Sequence, residues 1–72
     1  MKEEIFLKKI GQRIKEMREA KGLSQQELAA KLDYEKSNMS RLESGRVNPR
    51  ITTLQNVADA LKITLPELLD ID

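Results

Sequence analysis

The stretch SQQELAAKLDYEKSNMSRLESG, residues 24–45, decides the fold of this chain. It opens with Ser24–Glu27, the pattern of a capping box, in which a serine hydroxyl and a glutamate carboxylate each accept from the other residue's backbone N–H. Apolar residues follow at the spacing of one inward helix face: Leu28, Ala29 and Leu32. The sequence therefore predicts a short helix over about residues 25–32.

A second short helix is predicted over about residues 35–44 of the same stretch. Met39 and Leu42 have helical spacing, and Gly45 supplies a left-handed stop at the end. So few residues separate the two helices that they are too close to lie side by side as a long hairpin. We therefore expect a sharp helix-turn-helix over about residues 24–44.

The outward side of the second helix carries hydrogen-bonding side chains, namely Lys36, Ser37, Asn38, Ser40 and Arg41. In a helix-turn-helix the second helix enters the major groove of DNA. There Arg and Lys donate to guanine O6 and N7, Asn pairs with an adenine edge, and Ser serves either. This pattern indicates DNA binding, although taken alone these residues also fit an ordinary solvated helix face.

The flanking sequence predicts further helices and no strands. A first helix over about residues 3–21 ends before Gly22, and a last helix starts at the second capping box, Thr64–Glu67. The predicted inward residues of the first helix, of a fourth helix and of the last are Phe6, Ile10, Ile14, Met17, Ile51, Leu54, Val57, Ala58, Leu61, Leu65, Leu68 and Leu69. We expect an all-α fold in which residues 1–72 form one domain.

Composition argues against an enzyme. The chain has no His and no Cys, no glycine-rich phosphate loop, and carboxylates that alternate with Lys and Arg as helix-surface pairs do. No cofactor, metal or small-molecule ligand is expected. The N-terminal residues contain no apolar run long enough for a signal peptide or a membrane span, so a cytoplasmic location and no membrane partner are expected.

Charge is unevenly distributed along a chain whose formal net charge is only +1. Residues 36–50 carry 4 Lys/Arg against 1 Asp/Glu, whereas residues 51–72 carry 1 against 4. The segment that holds the second short helix is therefore basic, which is the sign that a polyanion attracts.

Several short motifs occur together in register, and they are Gly22–Gln25, Glu27–Ala29, Ser40–Gly45, Asn48-Pro49 and Leu54, Ala58, Ala60 and Leu61. With them the chain resembles the Cro/C1-type (XRE-like) repressor family over about residues 10–69. The resemblance implies a compact five-helix lambda-repressor-like fold. It also implies a small transcriptional regulator that binds specific double-stranded DNA.

The resemblance further implies roles for individual positions. It assigns base reading to Lys36, Ser37, Asn38 and Arg41, and contacts with the DNA backbone to Gln25, Ser40, Arg46 and Asn48. It also assigns Gln25 to buttressing the reading helix. Arg18 and Glu43 match a structural salt bridge between the first and third helices.

Two positions depart from the family pattern. Asp33 stands where the family usually has Gly, in the turn, and Asp is among the few residues tolerated with positive φ. Glu35 stands where the family usually has Ser or Thr, at the expected N-cap of the reading helix. Because Glu caps poorly, we expect Asp33 to cap instead and the helix to start early.

Two questions stay open at the level of the sequence. A homodimer is expected through the apolar end of the chain, with Leu65, Leu68, Leu69 and Ile71 as candidate interface residues, although these residues also fit a role in closing the core. The alternative function is a protein-interaction module, or an antitoxin-like partner, on the same scaffold. In that case Arg41 is dispensable and the leucines of the last helix are required.

Overall fold

The computed structural model describes all 72 residues, and it is built from helices without any strand. The five helices are α1 Glu3–Ala20, α2 Gln25–Lys31, α3 Lys36–Glu43, α4 Ile51–Leu61 and α5 Leu65–Leu68. The all-α prediction is confirmed, and the helix ends lie within about two residues of those expected.

Both predicted capping boxes are present. Ser24 Oγ accepts from the backbone N–H of Glu27 at 3.0 Å, while the Glu27 carboxylate accepts from the backbone N–H of Ser24 at 2.9 Å. Thr64 and Glu67 make the same reciprocal pair at the start of α5, with Pro66 in its first turn. These local bonds fix where α2 and α5 begin.

The turn between α2 and α3 uses a left-handed residue. Asp33 has φ 54°, and the backbone N–H of Tyr34 donates to Ala29 O at 2.8 Å, so the chain reverses directly after α2. The prediction that Asp33 caps α3 and starts it early is wrong, because α3 begins at Lys36 and Glu35 occupies the N-cap. The aspartate instead takes the conformation that the family's glycine normally supplies.

All five helices contribute to one hydrophobic core. Its eleven buried residues are Ile10, Ile14, Leu28, Ala29, Met39, Leu42, Leu54, Val57, Ala58, Leu61 and Leu68. Because α2 and α3 are too short to be stable alone in water, this shared burial is what holds the helix-turn-helix together.

Two apolar positions differ from the expected inward face. Phe6, which precedes Ile10, the first buried residue of α1, is 45% exposed, and Ile51, the first residue of α4, is 61% exposed. Leu68 is 0% exposed and belongs to the core, which confirms its expected inward position and removes it from the candidate dimer contacts. Leu65 and Leu69 are half-buried.

Close backbone contact between α1 and the end of α3 sets the position of α3. A Cβ added at Gly11 would lie 2.6 Å from Leu42 O, closer than real Cβ atoms come to another atom, so only glycine allows this approach. Gly45 ends α3 with φ 76° and lies against the backbone of Lys8. No helix of the protein has the length and apolar character needed to cross a membrane.

Candidate nucleic-acid interface

Helix α3 has one face in the core and one in solvent. Met39, Leu42 and Glu43 are buried. The five side chains predicted to face DNA are all exposed, and they are Lys36, Ser37, Asn38, Ser40 and Arg41. The fold therefore leaves this row of polar side chains free of internal packing.

A buried ion pair holds α3 against α1. Arg18 Nε donates to Glu43 Oε2 at 2.7 Å and Nη2 donates to Oε1 at 3.1 Å, with the two side chains only 8% and 3% exposed. The hydrogen bond to Glu43 raises the pKa of Arg18, so the guanidinium stays charged across the physiological pH range. These are the two residues for which the family resemblance implied a structural salt bridge.

The same carboxylate also holds α2. Gln25 Nε2 donates to Glu43 Oε1 at 2.9 Å, and Arg18 Nη1 donates to Leu23 O at 2.7 Å in the turn before α2. Three helices thus share one hydrogen-bonded centre, and no buried side-chain nitrogen or oxygen is left without a partner. The centre makes α3 a rigid platform, since moving it would strand charged groups away from water.

The loop after α3 continues the polar surface. Arg46, Asn48 and Arg50 are exposed, whereas Val47 and Pro49 are half-buried, and Val47 packs against the core. The backbone N–H of Arg46 donates to Arg41 O at 2.9 Å, which ties the loop to the end of α3. Arg46 and Asn48, the loop residues that were expected to contact DNA, therefore extend the exposed polar surface of α3.

Three residues near α3 were missed by the sequence reasoning. A cleft of about 420 Å³ separates α3 from the start of α4, and its lining residues are Tyr34, Asn38, Val47, Asn48, Pro49, Arg50 and Thr53. Tyr34, Arg50 and Thr53 were not singled out from the sequence. The positive charge of segment 36–50 could have pointed to Arg50. No pattern among neighbouring residues in the sequence indicated that Tyr34 and Thr53 lie beside Asn38.

The charges of this surface have one dominant sign. Its exposed cations are Lys36, Arg41, Arg46 and Arg50, while the carboxylate of Glu43 is buried against Arg18. The four acidic residues after position 51 lie instead on α4, α5 and the C-terminal tail. The arrangement presents clustered cations and neutral donors, which are the groups that bind phosphates and base edges.

Comparison with known proteins identifies related chains. The helix-turn-helix family model HTH_3 matches residues 14–68. The chain is 37% identical to the uncharacterized HTH-type transcriptional regulator y4dJ of Sinorhizobium fredii, over 86% of this chain and 80% of that one. It is 44% identical to the HTH-type transcriptional regulator SinR of Bacillus subtilis, over 85% of this chain but only 56% of SinR.

The solved structures that resemble this chain are also those of regulator proteins. The restriction-modification controller protein C.AhdI from Aeromonas hydrophila superposes with a TM-score of 0.82 at 40% identity, over 86% of this chain and 94% of that one. SinR, the master regulator for biofilm formation, superposes in its complex with DNA with a TM-score of 0.76 at 44% identity, over 85% of this chain and 98% of that one. The five-helix arrangement is thus shared with regulators of known structure.

Proposed function

This chain belongs to the HTH_3 helix-turn-helix family of DNA-binding transcriptional regulators, and we propose that it reads its operator with α3 as a two-fold dimer. Its family consists of regulators rather than enzymes. The observation that carries the proposal is the exposed donor row of α3, presented on a helix that the Arg18–Glu43 pair locks to α1.

The roles of individual side chains follow from their chemistry. Arg41 and Lys36 read guanine edges, each contributing about 1–3 kcal/mol of base discrimination if bidentate, and Ser37 and Asn38 read neighbouring bases. A second group fixes the position of the protein on the duplex by contacting phosphates, and this group is Gln25, Ser40, Arg46 and Asn48. Losses in the second group weaken binding to all sequences alike.

The dimer is proposed through the exposed parts of the C-terminal apolar residues. Leu65, Leu69 and Ile71 are half-buried and pack on the core from its edge, whereas Leu68 lies inside it. A two-fold pair places two α3 helices on half-sites about one helical turn, ~34 Å, apart. We further propose that residues 1–72 act as one DNA-binding domain in the cytoplasm, and that no small-molecule ligand is required.

Selection of bound duplexes from a random DNA pool at moderate salt tests the proposal. The wild-type chain is expected to enrich a pseudo-palindrome, and Arg41→Ala is expected to relax one position of each half-site. Lys31→Ala is the matched control, because it also removes an exposed cation but from the end of α2 remote from Gln25. An unchanged preference in Arg41→Ala contradicts the reading role of α3.

The alternative of a partner-binding module has its own signature in the same experiment. SinR is also known in a complex with SinI, so a relative of this chain assembles with another protein. Exposed apolar residues, including Ile51 and Phe6, offer surface for such a contact. A folded wild-type chain that enriches no DNA favours this alternative over the proposed function.

A further inference from the structure

Among the N-cap residues whose side chains can accept a hydrogen bond, Glu35 is the one whose side chain does no capping. Ser24 and Thr64 each accept a hydrogen bond from the third residue of their helix, whereas Glu35, at the N-cap of α3, accepts none. Its backbone has the ordinary extended conformation, φ −76° and ψ 147°, and the residue is exposed. The fold therefore makes no use of this carboxylate.

Apart from Asp33 in the turn before it, the exposed charged residues that lie near Glu35 along the chain are cations. Between Tyr34 and Ala58 the chain has only one other acid, Glu43, and that carboxylate is buried against Arg18. Every other exposed charge on α3 and the loop after it is positive. A carboxylate at this place would merely repel phosphates unless it meets a hydrogen-bond donor of the DNA.

We propose that Glu35 is a specificity-determining residue that accepts a hydrogen bond from the N4 amino group of a cytosine. The inference rests on the proposed reading role of α3, because the N-terminal residues of a reading helix are those that meet base edges. A carboxylate only accepts hydrogen bonds. Guanine and thymine offer acceptors in the major groove and adenine offers a donor beside an acceptor, but cytosine offers a donor alone.

The neighbour of Glu35 supports the assignment. Lys36 follows directly, so the Cα atoms that carry an acceptor side chain and a donor side chain are about 3.8 Å apart, and two such long side chains can reach neighbouring base pairs, which are stacked ~3.4 Å apart. Such a pair selects a cytosine next to, or paired with, a guanine that Lys36 contacts. The acid at the N-cap thereby adds a hydrogen-bond acceptor to a surface whose other exposed charged groups, on α3 and the loop after it, are all donors.

The test is a parallel selection with the wild type, Glu35→Gln and Glu16→Gln. Glu16 is an exposed acid of α1 outside the proposed interface, so its variant matches the charge change alone. Wild type and Glu16→Gln are expected to enrich cytosine at one position of each half-site. Glu35→Gln is expected to shift that position towards adenine, which a glutamine pairs through N6 and N7, and to bind the wild-type operator about 5- to 100-fold more weakly.

An atomic probe isolates the hydrogen bond. Replacing that cytosine by pyrimidin-2-one, which lacks the 4-amino group, is expected to weaken wild-type binding while leaving Glu35→Gln less affected. If Glu35→Gln instead binds every sequence more tightly with an unchanged preference, the carboxylate only repels phosphate and the inference is overturned. That outcome leaves the proposed function standing, whereas failure of the folded wild type to enrich any site overturns both.

Discussion

The buried carboxylate of Glu43 offers the sharpest test of how α3 is held. Glu43→Gln keeps the size of the side chain but leaves the Arg18 guanidinium, 8% exposed, without a counter-charge. Removing one partner of a buried pair costs about 3–5 kcal/mol, because the surviving charge stays desolvated. A chain of 72 residues has about 4–11 kcal/mol of total stability, so this single change removes a large part of it.

The expected loss translates into a large thermal shift. For a domain of this size each kcal/mol lowers the unfolding temperature by about 4–8 °C, so Glu43→Gln is expected to lower it by at least about 12 °C. Circular dichroism at 222 nm during heating measures the shift, and urea titration gives the free energy of unfolding directly. Glu16→Gln, an exposed change of the same kind, is the control and is expected to shift the midpoint little.

Removing both charges together is expected to rescue the stability. In Arg18→Met combined with Glu43→Leu neither charge remains, so most of the lost stability is expected to return, less the hydrogen bonds that Gln25 and Leu23 O lose. A shift of only about 2 °C in Glu43→Gln would show that the pair behaves like a surface salt bridge. It would refute the view that this centre fixes α3.

Three further predictions concern the backbone and the caps. Gly11→Ala is expected to force α1 away from α3 and to lower both the unfolding temperature and DNA affinity, measured by calorimetry and by a titration with the selected operator. Lys62→Gly is expected to raise the free energy of unfolding, measured in urea, by about 1 kcal/mol, because Lys62 has φ 58° at the end of α4. Asp33→Gly is expected to raise it by less, because aspartate tolerates its φ of 54° better than lysine tolerates a positive φ. The backbone N–H of Ser24 donates to the Glu27 carboxylate and holds the pKa of Glu27 below its ordinary value. The stability that this cap contributes is therefore complete above the pKa of Glu27 in the unfolded chain, and it is lost as the pH falls through the lower pKa of the folded chain. NMR titration of the Glu27 carboxyl group checks this, and Ser24→Ala is expected to return its pKa only part of the way towards normal, because the variant keeps the backbone N–H and removes only the side-chain hydrogen bond.

Local chemistry explains which elements the sequence could predict. The capping boxes at Ser24 and Thr64 and the stop at Gly45 depend on residues a few positions apart, so they were readable without the fold and are present in it. The turn at Asp33 was readable only in part: its tolerance of positive φ was foreseen, but its exclusion from the cap of α3 was not. Whether a side chain caps depends on the path of the whole turn.

Distant contacts explain the errors. Phe6 and Ile51 continue helical stripes and were expected to face inward, but the stripe alone does not say where the neighbouring helices end. Both residues are exposed, whereas Leu68, also expected to face inward, is enclosed completely although its helix has four residues. Burial is a property of the assembled helices, so periodicity predicts the face of a side chain but not whether another helix covers it.

The sequence by itself determined the five helices, the helix-turn-helix and the polar row on α3, because helix propensity, capping and periodicity act within a few residues. The family resemblance had implied the Arg18–Glu43 pair, but only the tertiary structure decided that Gln25 binds the same carboxylate, that Gly11 admits α3 to the backbone of α1, and that the carboxylate of Glu35 is left free. Those arrangements join groups far apart along the chain, and such groups meet only when a common core brings their helices together.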